Sequence, residues 1–318
     1  MHQKQSKKIS IFNSEHKIIA WTVLSLLYFL CAFLVLQPHW GLTVEDSLAY
    51  FNTSRFLRGE IQFSELRAPF PYRLLIPAVA AYIPGDLRNV FASVNWVSIS
   101  ISSVFLAYSV NKVGGNCKQV ICAGLLLIIS VPTFWYGSYL LTDPGAICAR
   151  TIFVVGILTG QPWLSLFSGL IATAIREENI LLLVWLLVFQ RKMFIFNIGA
   201  IAVAVAWLIY VRWYFFAGLP SYVWVPSLNT ILAVMHDTRA VLSILSAAIV
   251  VVPLLILGFK HIPSELNSLK SLIILMSTPI LYAALSVRVD GRAIWSLYPF
   301  MIPIAVYARF HMREDRRK

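Results

Sequence analysis

Carboxylates and guanidinium groups recur together at several places in this chain of 318 residues, each time beside an apolar run. The first is Thr43-Val44-Glu45-Asp46, just beyond the first apolar segment. A carboxylate at Asp46 or Glu45, within reach of a hydroxyl, can take its proton as a general base. A hydroxyl followed three residues later by an acid also fits a capping box, which would leave Asp46 only the start of a helix to hold.

Four further groups follow. Tyr72-Arg73 lies among Pro69, Pro71 and Pro77. Pro71 can start a helix and Pro77 limit or kink it, putting Arg73 near a helix start, where guanidinium and free backbone N–H groups together meet a phosphate. An interfacial Tyr/Arg anchor is the structural alternative. Thr142-Asp143-Pro144 offers an N-cap, or a carboxylate that orients a substrate hydroxyl, and Arg150 two turns later needs a partner. Arg176-Glu177-Glu178 divides an apolar stretch into halves too short to cross a bilayer. Either the halves form a hairpin with a charged tip, or one long helix buries the charges; an internal ion pair is the bland role for Arg176 and Glu177. Last, Arg288-Val-Asp-Gly-Arg292 makes a turn whose two arginines could clamp a phosphate or sit in an ordinary interface turn.

The elements that must position these groups are apolar. The hydrophobic fraction is 59% and the charged fraction 13%, about half the charge of a soluble domain. Apolar runs of spanning length recur, predicting an all-α polytopic transmembrane bundle forming a single integral membrane domain over 1–318. Ten apolar segments are expected: 18–36, 89–111, 119–139, 145–160, 163–175, 179–189, 193–213, 240–258, 271–287 and 293–310. The loop 38–88 is too polar to span and too apolar to float free, so amphipathic helices at the membrane surface are expected there. A second outer loop, 214–239, is long enough for one short lid helix.

All ten lysines fall in ends and loops that alternate to one side, which the positive-inside rule makes the cytoplasm, with both termini there. Eleven of the arginines fall on the other side or within segments, together with ten of the 14 acids. Arginine is what planar recognition of phosphate or carboxylate favours, although pairing with local acids and snorkelling also account for it. The net charge of +12 is spread over short clusters, which argues against nucleic acid as a partner. Four cysteines without ligand spacing suggest neither a disulfide framework nor a zinc site. Phosphate-binding loops, HExxH and GxSxG are absent.

In their order, these features resemble the GT-C type of polytopic membrane glycosyltransferase, which uses polyprenyl-phosphate sugars. Asp46 through Tyr50 with Arg58-Gly59 is similar to the acidic first-loop motif. Thr142-Asp143-Pro144, Ala174-Ile-Arg176-Glu177 and Arg292 through Pro299 are similar to later membrane motifs. The resemblance implies inverting transfer at the outer face of the plasma membrane, to a lipid-linked, glycan or protein acceptor. Asp46 would be the base, with Glu45 the other acid. Arg58, Tyr72, Arg73, Asp143, Arg176, Glu177, Arg288 and Arg292 would bind substrate. Many such enzymes use paired acids for a divalent metal, and Glu45-Asp46 is the pair available here. A transporter or flippase for a lipid-linked saccharide is the competing expectation, with the same arginines lining a path.

Overall fold

Long apolar stretches leave the backbone no partner but itself in hydrocarbon, so they become helices. The computed structural model describes residues 14–44, 46–220, 225–287 and 289–308, and every regular element among them is helical. Helix α1 (Ser14–Leu36) leads into the first loop, which folds as α2 (Asp46–Leu57), two 3-10 turns and α3 (Leu75–Tyr82). Then come α4 (Leu87–Lys112), α5 (Cys117–Ile128), α6 (Val131–Tyr136), α7 (Asp143–Leu158), α8 (Pro162–Ile175), α9 (Ile180–Phe189) and α10 (Phe194–Ile209). The last six are α11 (Leu228–His236), α12 (Thr238–Ala248), α13 (Val251–Gly258), α14 (Asn267–Ser286), α15 (Gly291–Trp295) and α16 (Tyr298–Ala305).

Five helical stretches are long and apolar enough to cross a membrane: 18–39, 87–112, 191–215, 238–258 and 264–286. Only 11% of the apolar window in the first is buried within the molecule, so most of its side chains face outward, where lipid would cover them. The remaining expected segments are shorter or broken. The segment 119–139 divides because Ser130 caps a new helix that has Pro132 in its first turn. The segment 293–310 divides near Ser296, and Pro299 opens α16. The 163–189 stretch is a hairpin: Arg176 is extended between α8 and α9, and Gly169 lies against Leu183 across the pair.

Small residues let the inner helices touch. A Cβ on Gly156 of α7 would collide with the Ser165 backbone of α8, and one on Gly124 of α5 would collide with the Tyr28 ring of α1. Tyr28 donates from that seat to the carbonyls of Val120 and Ile121. These contacts bury a core that runs from Phe91 and Leu106 on α4 through Phe153 on α7 to Phe300 and Ile302 on α16. Polarity is ordered along the bundle. Lys112 ends α4 and Lys260 follows the C-terminal end of α13, while Lys118 and Lys270 sit in the first turns of α5 and α14. The acid–arginine groups lie at the opposite helix ends: the start of α7, the end of α8 and the region after α14.

Two local expectations change. Helix α2 begins at Asp46, and the Ser47 hydroxyl, not that of Thr43, closes the turn by bonding the N–H and carbonyl of Val44. Helix α11 forms in the second loop, but it rests on α12 and α14, and none of its residues lines the cavity described below. It is no lid.

Candidate functional site

Four separate helix ends converge on a cavity of about 470 Å3. Asp46 reaches it from the start of α2, Asp143 from the start of α7, Arg176 to Glu178 from the hairpin tip, and Asp290 and Arg292 from the start of α15. Tyr72 and Arg73 come from the first loop, Arg150 from within α7, and Arg212 from the end of the stretch that continues α10. The far wall is apolar, built by Met276, Pro279, Ile280 and Ala283 of α14 with Val287.

The deepest part is a closed ion network. Arg150 is 2% exposed and donates to Asn179 Oδ1 at 2.6 Å, to the Ser296 carbonyl at 2.7 Å and to Glu178 Oε1 at 3.3 Å. Arg176 donates to the same Glu178 oxygen at 2.6 Å and to Asp143 Oδ1. Asn179 anchors the tip by donating to the Ala172 carbonyl. Burial raises the pKa of Glu178, but Arg176, Arg73 and Arg150 together outweigh it and hold the value below the usual carboxylate range. One atom stands outside this closure. Asp143 is 4% exposed, and its Oδ2 is buried with no hydrogen-bond partner among the described residues.

Nearer the opening the pairs are looser. Arg73 makes a two-pronged contact with Glu177, at 3.1 and 3.2 Å, and donates to the Tyr50 hydroxyl at 2.7 Å. Its position follows the proline pattern: it ends a 3-10 turn begun by Phe70-Pro71 and stands two residues before α3, whose first turn accommodates Pro77 without a break. Arg292 spans two acids, Asp290 within its own turn and Asp46 Oδ2 at 3.0 Å across the fold. Burial would lower the Arg292 pKa, but the carboxylates of Asp290, Asp143 and Asp46 raise it. Asp46 remains partly exposed, with its side chain 34% accessible.

Among the residues expected from sequence, the fold brings Asp46, Tyr72, Arg73, Asp143, Arg176, Glu177 and Arg292 to this one cavity. Glu45 and Arg288 lie outside the described residues. Arg58 does not line it. Its guanidinium turns to the end of α3 and donates to the carbonyls of Ala80, Ala81, Ile83 and Gly85, satisfying acceptors that a helix C-terminus leaves open. Asp143 and Thr142 make no side-chain cap on α7; the Asp143 carboxylate meets Arg176 instead. Glu178, Arg150, Arg212 and Asp290 complete the charged part of the lining, and sequence reasoning had not placed them in the site. A readable signal existed for each: an acid next to Glu177, an arginine inside an apolar run, an arginine among four aromatics, and the acid of the Arg288–Arg292 turn.

With five guanidinium groups and five carboxylates, the lining is balanced in charge. That arrangement can accept hydroxyl protons, hold polar ligands by exchange of partners and stabilise charge that moves during a reaction. Of the acid pair expected to hold a metal, Glu45 lies outside the described residues and Asp46 Oδ2 accepts from Arg292; no group of three His, Cys, Asp or Glu suited to a metal occurs among the described residues. No family model matches the chain, and neither a curated protein nor a solved structure does.

Proposed function

We propose that this chain is a multi-pass membrane glycosyltransferase that moves a sugar from a polyprenyl-phosphate donor to an acceptor hydroxyl. The observation that carries the reading is the cavity itself, where carboxylates and guanidinium groups from distant parts of the chain face an apolar wall of α14. A lipid-linked sugar has the same duality, a polyhydroxylated anionic head on a hydrocarbon chain. In the reaction, Asp46 takes the acceptor O–H proton and the oxygen attacks the anomeric carbon. The bond from that carbon to the phosphate oxygen breaks on the opposite face, and the electron pair leaves on the polyprenyl phosphate. Configuration inverts. The buried Asp143 Oδ2, without a hydrogen-bond partner among the described residues, is suited to receive a substrate hydroxyl.

The site faces the outer side of the plasma membrane in this reading, with both termini in the cytoplasm and α2 and α3 lying at the outer surface. The lysines at the helix ends away from the cavity support that orientation. Single cysteines at Ser64 and Ser264, in a cysteine-free background, test it with a membrane-impermeant maleimide. Position 64 is expected to label in intact cells and position 264 only after permeabilisation; the reverse pattern contradicts the orientation.

Reconstitution tests the activity. Proteoliposomes supplied with a labelled polyprenyl-phosphate sugar and an acceptor should accumulate glycosylated acceptor and polyprenyl phosphate in equal amounts. Movement of intact donor between leaflets without that cleavage would identify a transporter instead.

A further inference from the structure

The arginines in the cavity are not equivalent as anion sites. Arg73, Arg150, Arg176 and Arg292 each already hold a carboxylate. A phosphate arriving at any of them meets a guanidinium already partly neutralised and must share it with that carboxylate. Arg212 differs. It has no carboxylate within ion-pair distance and no hydrogen-bond acceptor among the described residues, so its N–H donors remain unspent. What holds it is the Tyr72 ring, 4.8 Å from the guanidinium carbon.

Its setting is specific as well. Tyr210–Phe215 is a π-helical turn at the end of the helical stretch, closed by the Phe216 N–H bonding back to Val211. Such turns widen the helix and re-aim its side chains, and they are frequent at functional sites. Around Arg212 stand Tyr210, Trp213, Tyr214 and Phe215, a grouping typical of the headgroup level of a bilayer. The Tyr72 hydroxyl reaches across to the Leu219 carbonyl at 3.4 Å, tying the first loop to the chain just beyond this turn. The α14 wall is apolar where it meets the cavity, and Ile274 and Leu281 carry that character to its outward face.

We infer that Arg212, backed by the Tyr72 ring, seats the phosphate of a lipid ligand whose hydrocarbon chain leaves the cavity along α14. The inference rests on the reading of the cavity as a lipid-linked substrate site and assigns a position within it. The paired arginines then act on the head of the substrate, while Arg212 holds the point where head and chain join.

The test uses the full chain in phosphatidylcholine nanodiscs, with retained ligand measured by native mass spectrometry. The probes are a polyprenyl phosphate, the matching polyprenol and inorganic phosphate. Wild-type protein should prefer the polyprenyl phosphate to both. Arg212→Ala should weaken its retention by about 10- to 100-fold, the worth of charged hydrogen bonds. Arg212→Lys should recover part of that loss, since it keeps the charge without the planar fork. Because Arg212 is exposed, its variants should keep the wild-type unfolding midpoint. If wild type shows no preference for polyprenyl phosphate over polyprenol, the functional reading falls. If it does and Arg212→Ala binds equally well, only the seat at Arg212 falls. Equal retention of inorganic phosphate would overturn the lipid assignment.

Discussion

The inner and outer halves of the cavity use the same residue types in opposite ways. In the inner half, Arg150 spends its donors on Asn179, Ser296 and Glu178, and Glu178 is shared with Arg176. Helix α7, the hairpin tip and the end of α15 are joined there, with Arg150 2% exposed. In the outer half, Asp46 has one oxygen on Arg292, and its side chain is 34% accessible. A saturated buried network fixes geometry; a half-satisfied exposed pair is free to exchange partners with a ligand. The difference suggests that the inner arginine is scaffold and the outer acid is chemistry.

The largest effect expected from this division is at Arg150. Arg150→Leu leaves Asn179 Oδ1 and the Ser296 carbonyl without their arginine donor and Glu178 with Arg176 alone, and should destabilise the fold by about 3–5 kcal/mol. Thermal unfolding in detergent should show a large drop or loss of folded protein. Combining it with Glu178→Gln should recover part of the stability, because the buried negative charge left in excess is gone. A stable Arg150→Leu protein would break the comparison at its inner end.

An intermediate effect is expected at Arg292. Lysine keeps the charge but cannot span Asp46 and Asp290 at once, so Arg292→Lys should lower transfer by about 10-fold with little change in unfolding midpoint. A drop in midpoint as large as that of Arg150→Leu would move Arg292 into the scaffold.

Arg58 sharpens the contrast from outside the cavity. Arg58→Ala should cost about 1–3 kcal/mol in stability through the four carbonyls it releases. Turnover per folded molecule should stay near wild type. A selective loss of turnover would return Arg58 to the site.

Much of this arrangement is legible in the sequence for one reason: ionisable groups are expensive inside apolar segments, so Arg150 and Arg176-Glu177-Glu178 announce themselves. Asp143 and Arg73 are legible because prolines fix the helix starts beside them. Pair identities are another matter. Nothing local ties Asp46 to Arg292, 246 positions away, or Arg73 to Glu177; those bonds exist only once α2, the hairpin and α15 have packed. Arg58 misleads because its partners are backbone carbonyls, which leave no mark on side-chain composition. The breaks near residues 130 and 296 are hidden in runs that stay apolar throughout, where hydropathy does not change but the backbone path does.

The central claim is that Asp46 acts chemically while the network beneath it holds the shape. Asp46→Asn tests this most directly, because asparagine starts a helix about as well as aspartate but cannot take the acceptor proton. The assay is transfer from a polyprenyl-phosphate sugar in proteoliposomes, with thermal unfolding measured on the same preparation. The expected result is an unchanged unfolding midpoint with turnover reduced by about 10²–10⁴-fold. Near-wild-type turnover by a well-folded Asp46→Asn protein would contradict the account.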